Sequence, residues 1–224
     1  MAQTSEHRRN YQKHTNPNPL HRWLLTRFHR RVAELALCAL SEDGWRVAQG
    51  AVASKGGAGR RAQNGAPRVL DVGCGEGFVL RYLQQRLPET LFCAVDVDRH
   101  ALLLARGCGA PGPLLCADVA ALPFTSSVVD LVLCLEVLEH LSQPVTGLAE
   151  LRRVTKGALI ISVPNQPHFS LANLARGKNL RHWGDDPEHL QRWRPREFIS
   201  MLRSDLRVET IVYSFPWVIA VCRE

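Results

Sequence analysis

Residues 68–77 read Arg-Val-Leu-Asp-Val-Gly-Cys-Gly-Glu-Gly, an apolar run that closes on three glycines at alternate positions. Val69, Leu70 and Val72 suit a strand buried on both faces of a parallel sheet. Gly73, Gly75 and Gly77 let the main chain turn tightly and approach a ligand more closely than a Cβ allows. The next stretch, 78–86, carries Val79, Leu80 and Leu83 at helical spacing, with Leu87 beyond it, so the turn faces a helix N-terminus. A strand, a glycine turn and a helix in that order demand an α/β architecture and mark the seat of a nucleotide-like cofactor. The spacing narrows the choice, because a dinucleotide fingerprint needs G-x-G-x-x-G and this turn is G-x-G-x-G. Asp71, two residues before the first glycine, is poorly placed for a pyrophosphate and better suited to a cofactor with a cationic amino acid portion.

Strands and helices alternate from residue 68 onward, with further apolar runs at 91–96, 129–135 and 157–163. This pattern predicts a doubly wound, mostly parallel sheet with right-handed crossovers and helices on both faces. The last two runs, 206–213 and 217–222, are separated by a turn too short for a crossover helix, so they are expected to pair antiparallel. Upstream, Asn18-Pro19 is a helix start, followed by a stripe of Leu20, Leu24, Phe28, Val32, Leu35 and Ala39. Three parts are expected: a basic arm and helix over 1–49 that caps the domain, a Gly/Ala/Arg-rich flexible linker over 50–67, and the α/β domain over 68–224. Within that domain, 165–194 reads as a lid inserted between the fifth strand and the next helix.

These residues resemble the class I S-adenosylmethionine-dependent methyltransferases, of the type 11 and type 23 kind, in four elements that occur in order over 69–163. The resemblance implies a Rossmann-like sheet of about seven strands that closes on the C-terminal hairpin, and S-adenosylmethionine as the cofactor. Asp71, Gly73, Gly75 and Gly77 match its first motif. Asp96, at the end of the second run and 25 residues after Asp71, can accept hydrogen bonds from both ribose hydroxyls. Asp118 stands where the family places an adenine contact, and Val97, Val119 and Leu135 complete the expected cofactor contacts. Asp96 and Asp118 also suit helix capping, but Asp98 is the better N-cap for a helix over 99–106, which leaves Asp96 for the ribose.

Substrate chemistry belongs beyond the carboxyl ends of the strands. There the chain reads Glu136-Val-Leu-Glu139-His140; on one helical turn, positions i, i+3 and i+4 share a face, so two carboxylates and an imidazole are expected to converge. The lid adds His168, Arg176, Lys178, Arg181, His182, Trp183, His189, Trp193 and Arg194. Two mechanisms follow. In one, His140 is the general base for a hydroxyl acceptor and Glu136 or Glu139 orients its ring. In the other, Glu136, Glu139, His140 and His189 hold Mg2+ or another divalent cation that acidifies a substrate oxygen. The Glu-x-x-Glu-His turn resembles that of ubiquinone-type O-methyltransferases. With His189, Trp193 and Phe198 it also resembles the small-RNA 2′-O-methyltransferases, which implies two Glu and two His as ligands, although the paired His of that family's lid is here Glu188-His189. The leading expectation is methyl transfer to a hydroxyl of a small molecule. A metal-dependent RNA 2′-O-methyltransferase is the alternative, and a non-catalytic cofactor-binding partner module is the third reading.

The net charge of +7 is uneven, since residues 1–31 carry seven Lys/Arg and one acid. Such an arm serves either an anionic partner, RNA included, or solvation, and solvation is the favoured reading. The seven cysteines (38, 74, 93, 108, 116, 134 and 222) contain no C-x-x-C pair. Cys93, Cys116 and Cys134 fall in or beside expected core strands as small hydrophobes. They argue for a reducing compartment. No stretch is apolar enough to span a membrane and no signal core is seen, so a cytoplasmic location is expected.

Overall fold

The computed structural model describes residues 17–41, 65–175 and 179–224. Most of the linker, most of the N-terminal arm, Arg176 and Lys178 lie outside the described residues. Seven strands form one sheet: β1 (Arg68–Val72), β2 (Leu91–Asp96), β3 (Leu114–Cys116), β4 (Val129–Leu135), β5 (Thr155–Pro164), β6 (Arg207–Ser214) and β7 (Trp217–Arg223). Their order is β3-β2-β1-β4-β5-β7-β6. The first five are parallel, and β7 runs antiparallel to both β5 and β6, which makes the expected hairpin.

Parallel strands need covered faces, and apolar side chains alternate toward two separate cores. On one face, Val69, Leu131, Leu133, Ala158 and Ile160 meet α1 (Pro19–Leu40), α2 (Phe78–Gln84) and Leu102 of α3 (Arg99–Gly107). On the other, Leu70, Val132, Leu159 and Ile161 meet Leu148 and Leu151 of α4 (Pro144–Val154) and Phe198 and Leu202 of α6 (Pro195–Arg203). Between β5 and α6 lies α5 (His168–Ala175).

Helix α1 begins as the sequence indicates. Asn18 Oδ1 accepts the Leu20 and His21 amides at 2.9 and 3.3 Å, with Pro19 in the first turn. Phe28 packs on Trp217 with ring centroids 4.7 Å apart, and the Ala39 carbonyl lies 3.4 Å from Arg223 Nη2. The helix therefore runs alongside β7 from its first residue to its last, with its N-terminal end on the rim where β5 finishes. One member of the expected stripe does not join the core. Leu20 is 59% exposed, because burial begins only at Leu24 and then broadens to Leu25, Ala33 and Ala36. Several boundaries also shift by one or two residues; α2 ends at Gln84, and β5 starts at Thr155. Cys116 closes the short edge strand β3 and is exposed, not a core residue.

Phe28→Ala removes the largest buried ring of α1 and should cost about 3–5 kcal/mol. The expected outcome is a lower urea midpoint with an unchanged slope in equilibrium unfolding.

Candidate functional site

The sheet order reverses direction between β1 and β4, and open α/β sheets bind ligands at that point. Gly73, Gly75 and Gly77 all adopt positive φ there (75°, 52° and 71°), and a Cβ on Gly73 would collide with the side chain of Val137. The amides of Gly73 and Cys74 both donate to the Val95 carbonyl, at 2.8 and 3.1 Å, which ties the turn to β2. Asp96 closes the clasp: its Oδ2 accepts the Gly75 amide at 2.7 Å and its Oδ1 accepts the Asp98 amide at 2.8 Å. Asp98 in turn caps α3 through the His100 amide at 2.8 Å, as the sequence suggests.

Three acids surround this turn. Asp71 and Glu76 are both buried, and Asp96 is half-buried. Residue order had not singled out Glu76, since an acid between two glycines looks like a solvated loop residue until the turn folds over it. Burial, then the charge of Asp96, pushes the Asp71 carboxyl up from 3.8 to about 7. The Cys74 thiol is likewise raised, by burial first and by Asp71 and Asp96 next. An acidic cradle walled by main chain fits a cofactor with a cationic amino acid portion and opposes a polyphosphate. The other expected cofactor contacts are distributed differently. Leu135 is half-buried at the end of β4, Val119 is buried, and Val97 is exposed. Asp118 is exposed and its Oδ1 accepts the Ala120 amide at 2.8 Å, a local turn contact.

The Glu-x-x-Glu-His segment is not one helical turn. Glu136 takes a left-handed φ of 60° directly after β4, and only Leu138–His140 form a short 3-10 turn. Its carboxylate therefore leaves the face shared by Glu139 and His140 and accepts the Ser162 hydroxyl at 3.1 Å, while its amide donates to the Ser162 carbonyl at 3.1 Å. What does converge is Glu139, His140 and His189, whose ligating atoms all lie within 4.8 Å of one another. Glu139 and His189 are buried. The His140 and His189 rings meet edge-on at 4.9 Å, and Phe169 tilts onto His189 at 5.5 Å. His140 Nδ1 lies 3.2 Å from the Glu188 carbonyl oxygen. A carbonyl can only accept, so that nitrogen carries a proton, and in the neutral imidazole the lone pair lies on Nε2.

Residues 165–175 and 179–194 form a folded flap. Ser170 hydrogen-bonds Asp185, Asn173 donates to the Gly184 carbonyl at 2.9 Å, and Arg192 pairs with Asp185 at 3.1 Å. Gln191 ties its end to the 3-10 turn after β4, its amide donating to the Glu139 carbonyl at 2.9 Å and its Nε2 to the Leu141 carbonyl at 3.0 Å. His168, Arg181, His182 and Trp183 are exposed. Trp193 packs near Phe198 with ring centroids 6.1 Å apart, and Arg194 is the N-cap residue of α6, where its main-chain amide donates to Glu197 Oε2 at 2.8 Å.

With this geometry in view, a family model described as a methyltransferase domain matches residues 70–161. A protein of Encephalitozoon cuniculi named as a methyltransferase is 30% identical over 163 residues, covering 70% of this chain and 68% of its own length. A probable S-adenosylmethionine-dependent methyltransferase of Mycobacterium tuberculosis is 33% identical over 104 residues, 46% of this chain and 37% of that protein. The chain spans between 24% and 41% of the length of the first four curated relatives it matches. The solved magnesium protoporphyrin IX methyltransferase of Synechocystis PCC 6803 with bound SAH covers 99% of this chain and 95% of its own, with a TM-score of 0.63 and 16% identity. That likeness is one of fold. Among the described residues, no helix is long and apolar enough to cross a membrane.

A carboxyl that holds its proton more tightly when folded than when unfolded stabilises the fold fully below about pH 4, and that contribution is gone once pH rises through about 7. The cofactor-free protein should therefore melt lower at pH 8 than at pH 6. Asp71→Asn should remove most of that difference and raise stability at pH 8 by about 1–3 kcal/mol, as measured by calorimetric melts across that range.

Proposed function

Because the chain belongs to the class I S-adenosylmethionine-dependent methyltransferases, we propose that it transfers the methyl group of S-adenosylmethionine to a hydroxyl oxygen of a small-molecule acceptor. The observation that carries this reading is the locked tautomer of His140 beside Glu139 and His189, at the same end of the sheet as the glycine cradle. Asp71, Gly73, Gly75, Gly77 and Asp96 would hold the cofactor, with Asp96 on the ribose and Asp71 facing the amino acid portion. The bound sulfonium supplies an electrophilic methyl group.

The residues of the chain do the rest. Displacement at a methyl group is a one-step reaction that needs alignment and, for a hydroxyl acceptor, removal of one proton. His140 Nε2 receives that proton. The resulting imidazolium still donates from Nδ1 to the Glu188 carbonyl, and the Glu139 carboxylate stabilises its charge. Phe169 and the flap keep bulk water from the proton transfer.

A divalent cation is the second reading, and the grouping of Glu139, His140 and His189 favours it. One carboxylate and two imidazoles fit a transition metal with open positions for two substrate oxygens. Glu136, whose carboxylate bonds Ser162, would not complete that set. An RNA acceptor would instead engage the basic 1–31 segment, of which the described part carries Arg27 5.6 Å over the exposed ring of Trp23.

Asp96→Ala should weaken binding of S-adenosylmethionine by about 1–3 kcal/mol, as read by isothermal titration; an unchanged constant removes Asp96 from the cofactor. Activity on catechol, quinol and RNA acceptors, with and without a chelator, separates the acceptor readings. With His140 as the base, methylation of a small hydroxyl acceptor persists in chelator, and His140→Ala lowers kcat by about 10²–10⁴-fold. Loss of activity that only added metal restores assigns the cluster to a cation. RNA binding that falls steeply with salt moves the acceptor to nucleic acid.

A further inference from the structure

Beyond the catalytic turn, Asn165 occupies an unusual position. It directly follows Pro164, the last residue of β5, at the carboxyl end of the sheet. Its main chain is fixed on both sides: the amide donates to the Pro216 carbonyl of the C-terminal hairpin, and the carbonyl accepts the Phe169 amide of α5, each at 2.9 Å. The residue is 8% exposed, and its carboxamide oxygen is buried without a hydrogen-bond partner. Native proteins leave few buried polar atoms in that condition, and each asks for an explanation. Thr155 and Ser214 share the condition. Thr155, however, lies at the opposite end of β5, and Ser214 ends the edge strand β6. Asn165 instead stands three residues past Ser162, which holds Glu136, and four before Phe169, which leans on His189.

We propose that Asn165 is a specificity-determining residue of the acceptor site, where its carboxamide oxygen accepts a hydrogen bond from a second O–H or N–H group of the acceptor. This rests on the hydroxyl-acceptor reading above and narrows it. The acceptor carries two neighbouring polar donors, as a catechol, a vicinal diol or an amino alcohol does; one is methylated and the other is held by Asn165. Selectivity then comes from the oxygen itself. An analogue lacking the second donor leaves a buried acceptor unpaired, and sites built to bond a donor discriminate strongly on that basis.

The test compares wild type with Asn165→Leu on two probes, catechol and phenol, with S-adenosylmethionine as donor. Wild type should favour catechol over phenol in kcat/KM by about 10- to 100-fold, and the variant should bring that ratio toward one. An equal ratio in both proteins overturns the proposal. Affinity for S-adenosylhomocysteine should be unchanged in Asn165→Leu; a comparable loss there would assign the amide to the cofactor and equally overturn it. Without any ligand, the variant should melt at or above wild type, because it removes an unpaired buried oxygen, whereas a fall of several degrees marks Asn165 as purely structural. A wild type that binds the cofactor normally but methylates neither probe defeats the hydroxyl reading, and the melting comparison still decides whether the amide serves a ligand.

Discussion

The site depends on a divergence between two neighbouring strands. β1 and β4 pair in parallel, with Val72 opposite Cys134, so their carboxyl ends share one rim. The chain then leaves β1 toward α2 on one face of the sheet and leaves β4 toward α4 on the other. Open α/β sheets bind ligands at this point of departure. The glycine turn, Asp96 at the end of the next strand outward and Glu136 at the end of β4 all meet this rim. Helix α1 supports the arrangement by covering β4, β5 and β7 on the face of α2, since a parallel strand left uncovered on one side would expose a continuous apolar surface.

Charge is distributed unequally across the cleft. Asp71, Glu76 and Asp96 gather under the glycine turn, where burial disfavours the ionised form of Asp71 and a cationic ligand would relieve that cost. The other side holds one buried carboxylate with two imidazoles, and the Glu188 carbonyl accepts from Nδ1 of His140. One end therefore gathers three carboxylates, and the other sets a single buried carboxylate against two imidazoles. Gln191 ties the flap to this second end through the Glu139 and Leu141 carbonyls, and His189 comes from the same flap.

Local signals in the chain were faithful wherever the physics is local. The Asn18-Pro19 start, the Asp98 cap, the glycine turn and the short connection between β6 and β7 all depend on residues within a few positions of one another. The convergence of Glu136 with Glu139 and His140 failed because it assumed a continuous helix. One left-handed residue at Glu136 redirects its carboxylate to Ser162, a partner 26 positions away. Trp193 and Arg194 look like lid residues by composition, yet one packs near Phe198 and the other caps α6. Glu76, Ser162 and Asn165 carry no mark in the residue order, because each becomes notable only through burial by distant segments.

The sequence by itself determined the α/β class, the alternation of elements, the glycine turn and the acid before it, because periodicity and steric freedom act over a few residues. Only the tertiary structure decided which acids share a site, which nitrogen of His140 is free, and that His189 rather than Glu136 joins Glu139. Those outcomes depend on desolvation and on hydrogen bonds between segments that meet only once the strands have aligned.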